Sequence, residues 1–128
     1  MDQRLQRSER LTAPADFTRC YRHGQRLRTT YFIVHAYYRG EGVSRLGLAV
    51  GKAVGIAVVR NRVKRRLREL FRREKAVTPR GYDLFVRAVP ASALAPYSEL
   101  KTAWCETMAK LRAIEMVGHT GPNAAHRI

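Results

Sequence analysis

The sequence predicts an α+β domain, a two-layer sandwich of one mixed sheet and helices in the order α-β-β-β-α-β-α. Three observations carry that expectation. A cation-rich segment at 57–75 has apolar residues at helical spacing. A run rich in aromatic and β-branched residues at 31–38 and further strand-like runs at 45–50 and 82–89 are separated by glycine and proline turns. A closing segment at 97–113 sets Leu100, Trp104, Met108 and Leu111 at core-facing helical steps. With 128 residues, 45% of them apolar, the chain supports one hydrophobic core and has no room for a second. A single domain over 1–128 follows, structured over about 11–113, with 1–10 and 114–128 expected to be flexible.

Taken in order, Thr12 is a candidate N-cap and Pro14 suits a first helical turn, so a helix opens there and Gly24 closes it. Within it Phe17, Cys20 and Tyr21 stand at i, i+3 and i+4, which gives two rings one face. A short strand is expected at 25–28 and a longer one at 31–38, where Tyr31, Ile33, His35 and Tyr37 alternate onto one face. After the turn chemistry around Gly40 and Gly42, the strand at 45–50 is expected to return as an antiparallel hairpin partner. Its Leu46, Leu48 and Val50 suit a core, whereas Gly47 and Ala49 leave the other face shallow enough for something to lie across it. Thr78, Pro79 and Gly81 break the following helix before the strand at 82–89.

The helix at 57–75 is the most informative segment. Val59, Val63, Leu67, Leu70 and Phe71 form one stripe, while Arg65, Arg68 and Arg72 project from the other side. From position 60 to 75 there are nine basic residues and two acidic ones, close to half of the formal net charge of +15. A solvated helix ordinarily interleaves opposite charges four residues apart, and here only Glu69 and Glu74 answer the cations. Unpaired like charges call for a polyanion. The arginines offer planar forks matched to phosphate oxygens, and the Asn61 amide suits a helix start or a bridge to phosphate.

A sequence pI near 11.0 fits nucleic acid or an anionic membrane surface. The longest apolar stretch, 46–59, is too short to span a bilayer and contains Lys52, so the glycines at 47, 51 and 55 have no membrane context. Asp2, Arg4, Arg7, Glu9 and Arg10 leave no apolar run for a secretory leader, and a cytoplasmic protein is expected. Cys20 and Cys105 are expected to be small core residues; the four histidines lack ligand spacing and the carboxylates are scattered, so no catalytic or metal cluster is expected in the protein. Gly51-Lys52 fails the phosphate-loop pattern, which argues against a nucleotide hydrolase, and a free-standing metal nuclease would need clustered carboxylates or histidines. No short helix precedes the basic one at turn distance, so DNA is not an expected partner. A ribosomal or other structural RNA-binding protein is the nearest alternative, since charge and an open sheet face serve it equally.

The ordered run Arg60-Asn61-Arg62-Val63-Lys64-Arg65 with Arg68 resembles the bacterial ribonuclease P protein component. The resemblance extends over about 11–111. It takes in Asp16-Phe17 with Tyr21 and Gly24, the strands at Phe32 and Gly47, and the approach Gly55-Ile56-Ala57-Val58-Val59. It implies a left-handed βαβ crossover through the basic helix, which the ordinary right-handed rule would not suggest. It also implies a subunit of a ribonucleoprotein endoribonuclease whose RNA subunit carries the active centre and most of the Mg2+, with none intrinsic to the protein. The partners implied are that catalytic RNA and precursor tRNA, whose 5′ leader is removed. By the resemblance Arg60, Asn61, Arg62, Lys64, Arg65 and Arg68 contact the catalytic RNA; some cations must merely flank the packed stripe, and Arg66 and Arg73 are the candidates for that place. Phe17, Tyr21 and His35 line a leader cleft, where stacking on bases is worth about 1–3 kcal/mol each. The sequence departs from the family at Ala53, where a lysine is common, and at Ile56, often asparagine.

Overall fold

The structure, a computed structural model, describes residues 5–40 and 42–116. The helices and strands follow the predicted order: α1 (Pro14–His23), β1 (Gln25–Arg28), β2 (Phe32–Tyr38), β3 (Arg45–Ala49), α2 (Ala57–Arg73), β4 (Tyr82–Ala88) and α3 (Tyr97–Met116). The start of α1 differs in detail. Its N-cap is Ala13 without a side-chain cap, and Pro14 occupies the first turn. Because α2 starts behind Ile56, Asn61 lies inside the helix and caps nothing.

One sheet holds all four strands in the order β1-β2-β4-β3, with β1/β2 and β2/β4 antiparallel and β3/β4 parallel. The expected hairpin between β2 and β3 is therefore not formed, because β4 inserts between them. β4 is the better central strand: Asp83 on one face and Leu84 and Val86 on the other are fully buried. The small Gly47 and Ala49 suit an edge strand that a helix crosses. The β3–α2–β4 connection joins adjacent parallel strands, the unit for which the family resemblance implies a left hand.

The register places alternate residues on opposite faces. Phe32, Val34, Leu46, Leu84 and Val86 point to the core, where Val63, Leu67, Leu70 and Phe71 of α2 and Leu100, Trp104, Met108 and Leu111 of α3 meet them. Trp104 packs against Phe32 and Phe71, with ring centroids 6.1 and 6.4 Å away. The predicted apolar stripes of both helices are the ones that are buried. Helix α1 lies on the opposite face, against His35 and Phe85, and so adds a partial third layer to the two expected.

The N-terminal segment corrects the expectation of a flexible 1–10 from residue 5 onward. Leu5 joins the core, Arg7–Glu9 forms a 3-10 turn, and buried Glu9 pairs with Lys75 beyond α2. Arg10 bridges Leu46 and the Leu11 N–H donates to the Leu46 carbonyl at 3.0 Å, so this segment covers the open edge of β3. These contacts join residues far apart in the chain and leave no periodic trace. At the other end α3 runs through Met116, past the expected stop at 113; the remainder of 114–128, like residues 1–4, lies outside the described residues.

Gly47 is where α1 and the sheet come closest. A β-carbon there would sit 2.4 Å from Phe17 Cε1 and 3.1 Å from Leu11 Cβ. Gly47→Val is expected to destabilise the fold by about 1–3 kcal/mol through overpacking. A chemical-denaturation midpoint equal to that of the wild type would show that Phe17 is not held against β3.

Candidate nucleic-acid interface

The cations of α2 separate into two groups by their partners. Arg60 Nε donates to the Gly55 carbonyl at 3.1 Å, Arg62 to the Ala93 carbonyl at 3.2 Å, and Arg66 to the Ala95 carbonyl at 3.1 Å. These bonds tie the helix to its own entry and to the loop before α3. Arg72 and Arg73 share Glu69 at 3.3 and 2.5 Å. Lys64, Arg65 and Arg68 have no ion pair or hydrogen-bond partner among the described residues, and with exposed Asn61 they stand at three- and four-residue steps. Four of the six predicted RNA contacts thus form one contiguous patch. Arg60 and Arg62 flank it, each with guanidinium donors beyond its bond to backbone.

Lys64 and Arg68 also line a cavity of about 420 Å3 at the β3 edge, where α2 meets the N-terminal segment and α1. Arg10 adds a third cation, and Phe17, Leu11 and Leu48 supply apolar wall. The cavity puts a basic helix and an aromatic side chain on one concave surface.

The three predicted cleft residues meet on the α1 face of the sheet. Phe17 stands edge-on to Phe85, 5.1 Å between centroids; Phe85 stacks with His35 at 5.7 Å, and the Tyr21 ring meets His35 at a 45° tilt, 5.1 Å away. Tyr21 is 57% exposed and His35 only 3%, so Tyr21 is the presented ring and His35 lies beneath it. Phe85 and Arg87 complete the group, and sequence reasoning did not single them out. The signal was the alternation within β4, which puts Asp83, Phe85 and Arg87 opposite Leu84 and Val86.

His35 is neutral. Burial pushes its pKa down from 6.5 to about 4, assisted by the positive charges of Arg87 and Arg26. Arg87 Nε donates to His35 Nε2 at 3.1 Å. Among the described residues no carboxylate contacts the imidazole, so a general-base relay has no partner to orient it. Burial, and then the neighbouring Asp83, raise the Cys20 thiol to about 12, which leaves it protonated and inert, and its Sγ reaches the Asp83 carbonyl at 3.5 Å. Cys105, by contrast, is only half-buried.

Among the described residues no group of three or more His, Cys, Asp or Glu side chains is placed to hold a metal ion, and no helix is long and apolar enough to cross a membrane. Asp16 and Asp83 are both engaged by arginines. The fold and these two surfaces define a small basic α+β protein with a cation-rich helix on one side of its sheet and an aromatic cleft on the other.

A family model described as Ribonuclease P matches residues 5–112, and the chain belongs to that family. It is 38% identical over 104 residues to the ribonuclease P protein component of Thermotoga maritima, covering 81% of this chain and 87% of the relative. It is 47% identical over 95 residues to that of Oleidesulfovibrio alaskensis, covering 72% and 74%. The RNase P protein of Staphylococcus aureus superposes with a TM-score of 0.70 at 26% identity over 80% of this chain and 94% of that one. For the Thermotoga maritima RNase P protein the values are 0.68 and 33%, over 80% and 94%. A role in RNA binding and tRNA 5′ processing follows from this membership.

The low pKa of His35 has a consequence for stability. An unfolded chain takes up a proton on this side chain near pH 6.5, and the folded one only near pH 4. Between those values the unfolded state binds more protons, so stability falls as pH falls. In denaturation measured across pH 4–7, His35→Phe is expected to show a shallower loss than wild type; an identical pH profile would mean that the imidazole is not held neutral by the fold.

Proposed function

We propose that this protein serves ribonuclease P with two separate surfaces, one for the catalytic RNA and one for the substrate. The α2 patch of Asn61, Lys64, Arg65 and Arg68, flanked by Arg60 and Arg62, neutralises phosphates of the RNA subunit. The cleft of Phe17, Tyr21 and His35 receives the single-stranded 5′ leader of precursor tRNA. The observation that carries this reading is that Lys64, Arg65 and Arg68 have no partner among the described residues, on a helix whose other arginines are held by backbone or by Glu69. Cations left unpaired in a folded domain repel one another, and a polyanion relieves that repulsion.

The cleft supports the second half. Tyr21 offers an exposed ring above His35 and Phe85, and stacking accepts any base, as an enzyme that processes many leaders requires. The basic cavity at the β3 edge joins the two surfaces, so leader and catalytic RNA can be held side by side. The protein's part in endonucleolytic leader removal is to bind and position RNA. The active centre and its Mg2+ are assigned to the RNA subunit and substrate, in the cytoplasm.

Charge makes the test direct. Arg65→Ala combined with Arg68→Ala is expected to weaken binding of the RNA subunit and to lower the magnitude of its log-log salt slope by about 1–2, one phosphate contact per cation. Leader-dependent substrate affinity in the assembled enzyme should stay near wild type. A folded double variant with an unchanged salt slope would remove both arginines from the RNA interface.

A further inference from the structure

Strand register sets out the floor of the cleft in rows. Arg26, His35, Phe85 and Gly47 lie side by side across the four strands, and the next row is Arg28, Ile33, Arg87 and Ala49. Arg87 reaches diagonally out of its own row to His35, a distance a long side chain covers easily. Its guanidinium also lies 5.4 Å from the centroid of the Tyr21 ring.

An arginine is always protonated and has only donors, so in this pair Nε–H donates and His35 Nε2 supplies the lone pair. The imidazole hydrogen then resides on Nδ1, which is buried without a hydrogen-bond partner among the described residues. An imidazolium has no lone pair to offer and would break the bond to Arg87. The groups around His35 are Tyr21 from α1, Arg26 from β1, and Phe85 and Arg87 from β4. Both charged ones are positive.

We infer that Arg87 is a positioning residue for the leader cleft: through His35 Nε2 and the face of Tyr21 it fixes one tautomer and one ring arrangement, so the stacking surface exists before the leader arrives. This rests on the reading of the cleft as the leader site. Pre-ordered rings lose less freedom when a base stacks on them, and the gain appears as leader affinity. The terminal N–H groups of Arg87 have no hydrogen-bond partner among the described residues and are available to a leader phosphate. The low pKa of His35 agrees with this geometry, since burial, Arg87 and Arg26 all disfavour its charged form.

The test uses Arg87→Met, His35→Phe and Tyr21→Ala, with folding confirmed for each. Nitrogen-15 NMR of the free protein reads the His35 tautomer and its titration. The assembled enzyme then reports the ratio of affinities for precursor tRNA with a long leader and with a one-nucleotide leader. In the wild type His35 is expected as the Nδ1–H tautomer. In Arg87→Met the tautomers should mix, the titration midpoint should rise toward 6.5, and the leader ratio should fall about three- to tenfold. In Arg87→Met combined with His35→Phe the leader ratio should become independent of pH. An Nε2–H tautomer in the wild type would overturn the proposal. So would an unchanged leader ratio in Arg87→Met beside a reduced one in Tyr21→Ala, and there the leader reading would survive. Unchanged ratios in both variants would overturn the leader reading as well.

Discussion

The seating of α1 on the sheet depends on one buried carboxylate. Asp83 is fully buried on the α1 face of β4, and Arg45 of β3 clasps it with Nε at 2.7 Å and a terminal nitrogen at 2.8 Å. Arg39, from the end of β2, adds a third bond at 3.1 Å, and Arg19 of α1 approaches to 3.8 Å. Asp16, one turn earlier in α1, pairs with Arg19 and reaches Arg45 at 3.3 Å. Two carboxylates and three arginines thus tie α1, β2, β3 and β4 together. Removing one member of such a buried group ordinarily costs about 3–5 kcal/mol, because the remaining charge has lost its compensation. Phe17 and Tyr21 flank Cys20, whose thiol sits against the Asp83 carbonyl, so the charge cluster sets where the rings stand.

That seating gives the molecule its two-sided character. On one face α2 and α3 complete the hydrophobic core, and the cations of α2 turn outward. On the other face α1 covers only part of the sheet and leaves Tyr21 over His35, with Arg26, Arg28 and Arg87 on the floor beside it. The N-terminal segment closes the β3 edge and forms the cavity through which the two faces communicate. One small domain therefore presents a charged ridge and an aromatic cleft on different elements, held in fixed relation by a shared sheet.

Local periodicity was legible in the sequence, and long-range pairing was not. The α2 and α3 stripes, the short β1 and the shared face of Ile33, His35 and Tyr37 follow from spacing alone. Gly47 was readable as a shallow place on β3, and Phe17 is what lies across it. The insertion of β4 between β2 and β3 was hidden because neighbouring strands usually pair, and only burial on both faces of β4 reveals it as central. Leu5 and Glu9 find partners far along the chain and show no pattern of their own. The Asp83 cluster draws on Asp16, Arg19, Arg39 and Arg45, positions that no motif connects. For the interface, charge density indicated α2 but not which cations are free, since the bonds of Arg60, Arg62 and Arg66 to backbone carbonyls depend on how neighbouring loops fold back.

The Asp83 cluster builds the cleft of Phe17, Tyr21 and His35 proposed for the leader, and it takes no part in the α2 patch proposed for the catalytic RNA. Asp83→Asn preserves shape and removes the charge, so the decisive measurement is its RNA-subunit affinity set beside its leader-dependent affinity for precursor tRNA. Leader dependence is expected to be lost while RNA-subunit affinity and its salt slope stay near wild type. A folded Asp83→Asn protein that loses the two affinities in parallel, or keeps its leader dependence intact, would contradict it.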